Sequence, residues 1–432
     1  MLLVYTPKIT PRLRYAFKHI CKRILTLDVE FTSKVEDFIA HDSLKMSYAK
    51  KPLSSEIFVR SHDLLFEQGF SDLDIVIHDW EDTKGFFVTD VQSSLPYDIF
   101  AASFYLLSRY EEYLPHKRDE YNRFLASESL AAKGDFLDQP VVDIWAYKLK
   151  AILQDRFPNF EFTERTYRVQ PIIDIPSAYK YLYKGFIRTF GGLIGDFFRF
   201  RFKQLYQHIS VITGFKKDPY DTYTWLINRQ KSVDFKFLVF FLVGNFSTYD
   251  RNISINKKKF VTLIKSIGDY CHIGLKASYF ALDDIKMLKT EKHKLEAITN
   301  VGIKAIRNSH SKLNLPFTYR NAIELEIDKE HTMGYIDELG FRAGTCTPFM
   351  FYDLDYEVQT PLKICSYHCL DHALLKYQSQ LDKKETLENL ISKIKSVNGT
   401  FSPVFHNYSF SDEEPWSGYK ALFNLVLNSE DE

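Results

Sequence analysis

Four ionisable side chains each follow a short apolar run: Asp174, Arg307, Arg342 and His406. The run 167–173 reads as a strand that delivers Asp174, 303–306 ends at Arg307, and 401–405 presents His406. Residues at the C-terminal ends of parallel strands face the active site of such folds. Four polar groups converging there favour a site. Arg342 lies in Phe341-Arg342-Ala343-Gly344-Thr345-Cys346-Thr347-Pro348-Phe349. That stretch reads as a buried strand leaving through a tight turn at Gly344 and Pro348. Because a guanidinium stays charged, Arg342 needs a carboxylate or an anionic ligand inside a sheet.

The elements that must position these groups alternate. The continuous apolar run 236–244 suits a strand buried on both faces. Strands over 271–275, 303–306, from 341 onward, 362–365 and 401–405 alternate with helices over 257–270, 282–300, 315–325 and 383–397. Such alternation implies an α/β fold, an irregular (β/α) barrel over residues 161–432. Residues 1–160 read as a smaller N-terminal α/β domain of unassigned role, with strands at 2–5 and 71–79. Its helices are expected over 10–24, from Asp98 onward, and over 141–153. Arg109, Glu111, His116 and Arg118 there read as a solvated helix end.

An insertion at 181–230 interrupts the barrel pattern. Its first part crowds Phe186, Phe190, Phe197, Phe198, Phe200 and Phe202 among Lys184, Arg188, Arg199, Arg201 and Lys203. It fits either packing against the first domain or peripheral contact of 181–203 with an anionic membrane.

Composition bounds the function. The 432 residues suit two domains, and 45% apolar with 26% charged residues is ordinary for a soluble globular protein. Lys+Arg and Asp+Glu both number 56, which gives no basic footprint for nucleic acid. The 37 Phe and 27 Tyr fill cores and can also form platforms for sugars. No apolar run reaches a membrane-spanning length, and the N-terminus lacks a signal-peptide pattern. Five cysteines, few and odd in number, fit reduced thiols and a cytoplasmic protein. Cys365, His368, Cys369 and His372 would share one face of a helix, but they read as core thiols beside polar histidines rather than a metal site.

Several runs carry a resemblance. They are FAASFYLLSRYEEYLPHKRDE at 100–120, DIPSAYKY at 174–181, HIGLKASY at 272–279, RNSHSKLNLPFTY at 307–319, TMGYIDELGFRAGTCTPFMFYDL at 332–354 and FHNYSFSD at 405–412. Together they resemble the NodB-homology polysaccharide deacetylases, in a Bacteroidetes-type branch with an extra N-terminal domain. The resemblance implies a hydrolase of amide or ester acyl groups on sugars, with a carbohydrate or glycan intermediate as its partner. It implies Asp174 as base, Arg342 as the arginine that keeps it ionised, and His406 as the acid. Tyr179, Lys276, Ser278, Tyr279 and Arg307 are the substrate-binding candidates. A divalent metal, usually zinc, is expected of the family. However, Pro176, Lys276 and Phe280 stand at its usual ligand positions, and Tyr408 stands where an acid is more usual, so no metal ligand is assigned. A second reading is an inactive relative that binds glycan or a partner enzyme.

Overall fold

The computed structural model describes residues 1–430 of the chain. Near the N-terminus β1 (Leu2–Tyr5), β2 (Val29–Thr32), β3 (Lys45–Ala49) and β4 (Ile57–Arg60) form a parallel sheet in the order β2-β1-β3-β4. The helix Pro11–Phe17 starts at Thr10, whose hydroxyl accepts from the Leu13 amide at 3.1 Å. It widens into a π-helical stretch, Lys18–Ile24, so the expected helix over 10–24 changes pitch half-way. The helix Ile99–Leu107 opens at Asp98, whose side chain caps the amides of Phe100 and Ala101, each at 3.0 Å. All nine of its residues are buried, which is why it carries no polar face. The strand expected at 71–79 reduces to the short hairpin His78–Trp80 with Thr83–Gly85.

The larger sheet has nine strands: β5 (Ile172–Ile175), β6 (Leu238–Leu242), β7 (His272–Ala277), β8 (Ala305–Asn308), β9 (Lys329–Glu330), β10 (Phe349–Asp353), β11 (Val358–Ile364), β12 (Cys369–Leu370) and β13 (Pro403–His406). Their order is β10-β11-β9-β8-β7-β6-β5-β13-β12, and only the β10–β11 hairpin is antiparallel. The helices Lys258–Gly268 and Ile285–Thr299 provide the crossovers from β6 to β7 and from β7 to β8. The parallel α/β pattern read from the sequence is therefore present. A closed barrel is not: among the described residues the edge strands β10 and β12 do not pair with each other. The irregular segment 333–347 occupies this side instead. Met333 accepts from the Tyr367 amide at 2.9 Å, Gly340 donates to His368 at 2.9 Å, and Cys346 accepts from Thr400 at 3.3 Å.

On a strand, residues two apart share a face. One face of β5, β6, β8, β12 and β13 carries Ile172, Leu238, Phe240, Ala305, Leu370 and Val404, which pack together with Tyr367. One step further along the same strands stand Asp174, Arg307 and His406. Period-2 alternation thus lays a polar layer on top of an apolar one at the strand C-termini.

The stretch around Arg342 corrects the sequence reading. Phe341–Thr347 forms no strand; regular pairing resumes only at Phe349. Its backbone bonds go to the N-terminal half instead: Phe341 donates to Leu137 at 2.8 Å, and Gly344 accepts from Val142 at 3.0 Å. Gly344 has φ of +66°, which a strand cannot contain. Arg342 pairs with Glu112 through Nε at 2.9 Å and Nη2 at 2.7 Å. Arg109 reaches the same carboxylate at 2.8 Å and Glu111 at 2.7 Å. All four side chains are buried, so Arg109 and Glu111 of the expected solvated helix end belong to an interior charge network, while Arg118 is exposed and His116 half-buried. Asp143 makes a second weld, accepting from Thr345 Oγ1 at 2.6 Å, the Cys346 amide at 3.0 Å and Arg165 at 2.8 Å. Residues 1–160 and the rest share one continuous apolar core. Tyr15 donates to the Met350 carbonyl at 2.7 Å, and Arg12 to Glu357 at 2.9 Å.

Removing one partner of a buried ion pair leaves the other uncompensated and costs roughly 3–5 kcal/mol. Arg342→Ala is therefore expected to destabilise the chain by about that amount in denaturant titration; unchanged stability would overturn the scaffold role. Burial alone would raise the carboxyl of Glu112, but Arg342 and Arg109 hold it at about 2. Its contribution is complete above the ordinary carboxyl range of ~4.3 and fades as pH falls from there towards 2. Acid unfolding of Glu112→Gln should accordingly lose pH dependence in that window.

Candidate active site

Register decides which polar residues meet. β5 and β13 pair so that Asp174 lies opposite His406, and β7 and β8 pair so that Lys276 lies opposite Arg307. Asp174 Oδ2 accepts from Lys276 Nζ at 2.7 Å and from Arg307 Nε at 2.9 Å. His406 Nε2 stands 3.8 Å from the same oxygen. All four residues are buried. Arg307 is fixed further by the His331 carbonyl at 2.6 Å, by Ser311 at 3.3 Å, and by the Tyr367 ring, whose centroid lies 4.4 Å from the guanidinium. Asp174 Oδ1 is buried and accepts no hydrogen bond among the described residues.

His406 is oriented from its other side. Its Nδ1 lies 2.9 and 3.0 Å from the two carboxylate oxygens of Asp371, and its backbone amide donates to Asp371 at 2.7 Å. An ionised carboxylate only accepts, so Nδ1 carries the proton and Nε2 presents a lone pair towards Asp174. His372 Nδ1 donates to the same carboxylate at 2.9 Å, as does the Ser409 hydroxyl. The Tyr408 ring stacks on His406 with centroids 4.7 Å apart.

Electrostatics follow from this packing. Burial would raise the carboxyl of Asp174, but Arg307, Lys276 and His406 hold it well below the carboxylate range. Burial lowers the ammonium of Lys276, partly offset by Asp174. Burial likewise lowers His406, against the pull of Asp371, which keeps its imidazole neutral at neutral pH. Burial would raise Asp371 as well, yet His406 and His372 hold it far down.

The residues proposed from sequence thus separate. Asp174, Lys276, Arg307 and His406 come together. Arg342 does not: it is spent on Glu112, and Arg307 occupies the place beside Asp174 for which Arg342 was named. Ser278 turns away, its amide donating to Glu291 at 3.0 Å. Tyr179 packs on Tyr183 and Tyr223. Tyr279 stands on the rim, stacked on Tyr249 at 4.0 Å with Phe280 and His310 beside it. Asp371 was missed as a site residue. Its one sequence signal was a carboxylate beside His372 directly after a short apolar strand.

A metal does not fit the position the resemblance implied. Two cations already flank Asp174, Pro176 offers no donor, and Phe280 is an exposed ring. Asp371, His372 and His406 do bring ligand atoms within 4.8 Å of one another. Both imidazoles donate their Nδ1 protons to that carboxylate, which makes Asp371 their orienter and leaves each Nε2 as a lone-pair acceptor. Cys365, His368, Cys369 and His372 lie on no helix; Cys369 is in β12, and the cysteines are free and buried, as expected of core thiols.

Residues 2–158 match a family of unknown function, DUF7033. No curated protein matches the chain. Among solved structures, one likeness is to a protein assigned as a polysaccharide deacetylase from Mycobacterium smegmatis, at 11% identity, 61% of this chain, 84% of that one and a TM-score of 0.38. Another is to a CE4 family pseudoenzyme from Bacillus anthracis, at 10% identity, 62% and 61% coverage and a TM-score of 0.31. A third is to a 4-alpha-glucanotransferase from Thermococcus litoralis, at 13% identity, 62% and 38% coverage and a TM-score of 0.36. This chain spans less than two thirds of the last two. With TM-scores this low, these likenesses assign neither fold nor activity.

Asp371→Asn removes the charge that opposes burial at His406. The His406 imidazole should then titrate at still lower pH in the variant, read by NMR of the ring carbons. An unchanged or higher value would contradict the orienting role.

Proposed function

We propose that the chain is a hydrolase of acyl groups on sugars, working through a metal-independent acid–base site centred on His406. The observation that carries this is His406 held by Asp371 through Nδ1, with its Nε2 standing 3.8 Å from Asp174. Neutral at neutral pH, His406 Nε2 takes a proton from water as the water oxygen adds to the acyl carbon. The same nitrogen then returns the proton to the departing amine or hydroxyl as its bond to the acyl carbon breaks. The products are the free acid and the deacylated sugar. Lys276 supplies a fixed positive charge beside Asp174, where it can stabilise negative charge developing on the acyl oxygen. Asp174, held ionised, positions Lys276 and Arg307. The motif runs quoted above support a sugar as substrate, as does the rim of Tyr249, Tyr279 and Phe280. A cleft of about 190 Å³, lined by Ser311, Gly334 and Tyr335 among others, adjoins Arg307 through Ser311.

A second reading, glycan binding without turnover, is favoured by one specific observation. Asp174 sits between two cations and is therefore a weak base.

Acetate release from N- and O-acetylated oligosaccharides separates the two readings. Hydrolysis should persist in excess chelator and fall by about 10²–10⁴ in His406→Ala. Binding without acetate release would establish the second reading. Activity restored only by added zinc would refute the metal-independent site.

A further inference from the structure

The insertion folds as two helices, Phe186–Phe198 and Phe202–Ile212, that pack on each other with their apolar sides turned outward. Phe186, Phe190, Ile194 and Phe197 recur at helical spacing on the first, and Phe202, Tyr206, Ile209 and Ile212 on the second; all are exposed. Phe186 is 82% exposed, and Phe198 and Phe200 at the turn are 72% and 78%. The inward side of the second helix instead buries His208 and Ser210 with Val211. This inverts the arrangement of a helix on a globular surface, where the apolar stripe faces the core. The expected packing of this segment through its aromatics is therefore not what the fold uses.

Charge identifies what covers the stripe. From Lys180 to Lys217, both included, stand eight Lys or Arg against one acidic residue, Asp196, in a chain whose formal net charge is zero. Arg199, Arg201 and Lys203 alternate with Phe198, Phe200 and Phe202 at the turn, all of them exposed. Two copies of this hairpin would repel each other. Aliphatic Ile194, Ile209 and Ile212 interrupt the aromatic row, which suits insertion among acyl chains better than a run of stacked bases. Apolar side chains rimmed by cations match the interface of an anionic bilayer. Among the described residues no helix is long and apolar enough to cross a membrane, so the contact is interfacial.

We infer that the helical hairpin 186–212 seats the protein on an anionic lipid surface. The hairpin is also tied to the site. The amides of Lys180, Tyr181 and Leu182 at its root bond Asp218 at 2.8–3.1 Å. Asn407, next to His406, donates to Ser177 at 3.1 Å, and its carbonyl accepts from Thr222 at 2.8 Å. These bonds tie the root of the hairpin to the loops that follow the strands carrying Asp174 and His406. Under the function proposed above, and resting on it, the substrate is a membrane-attached acylated glycan.

Flotation of the full chain with vesicles tests the seating without any substrate. Binding is expected to vesicles containing phosphatidylglycerol, to weaken as salt rises, and to be much lower on pure phosphatidylcholine. Arg199→Glu with Arg201→Glu and Lys203→Glu should weaken it by on the order of a hundredfold. Phe186→Ser with Phe190→Ser should do so at unchanged thermal stability, since these rings are exposed. Equal partition onto neutral and anionic vesicles, or none, overturns the inference. So does self-association in sedimentation that the phenylalanine variant abolishes, since a second copy would then cover the stripe. Should vesicles bind while no acetylated glycan is hydrolysed, the seating stands and the hydrolase reading fails alone.

Discussion

The interior of the large sheet is governed by one buried carboxylate. Asp174 is shut off from water, and removing such an ion from solvent costs several kcal/mol unless opposite charge meets it at close range. Lys276 and Arg307 both do so below 3 Å. At ~4 Å and an effective dielectric of about 20, each opposite charge is worth roughly 4 kcal/mol, so two cations are enough to keep the carboxyl ionised. The consequence reaches beyond stability. Two tethered cations put positive charge on both sides of the carboxylate, and the imidazole of His406 stands beside them.

A second set of buried charges does purely architectural work. Arg342 and Arg109 grip Glu112, and Arg165 with three neighbouring groups satisfies Asp143. These bonds fasten the irregular segment 333–347 to the N-terminal half at the side where β10 and β12 leave the sheet open. The two networks use the same chemistry for different ends. Around Asp174 the charges stand at strand termini, with one carboxylate oxygen left free. Around Glu112 they are consumed by each other and by backbone carbonyls. That difference, more than residue type, separates a candidate site from a scaffold.

The outward-facing aromatic hairpin belongs to the same logic. Its root is held by polar bonds to loops that leave β5 and β13, the strands carrying Asp174 and His406. The exposed aromatic face and the cluster around Asp174 are thereby tied through one set of loops.

The sequence by itself determined the strands and most of their order of appearance. The apolar run 236–244 suits a strand buried on both faces, and alternation with helices implies a parallel sheet. It also placed Asp174, Lys276, Arg307 and His406 at or beside the strand C-termini, because a period of two puts the polar residue on the face of the apolar one before it. What it could not decide was partnership. Arg307 and Arg342 each follow an apolar run and look equivalent in one dimension; only the register of β7 and β8 brings Arg307 to Asp174, while Gly344 bends the other stretch towards Glu112. Asp371 was unreadable for the same reason, since its role depends on β12 pairing with β13 across more than thirty residues of sequence. Ion pairs and imidazole orientation are set by distances of a few ångströms between distant segments. Local pattern fixes which face a side chain takes, and tertiary structure alone fixes what it meets there.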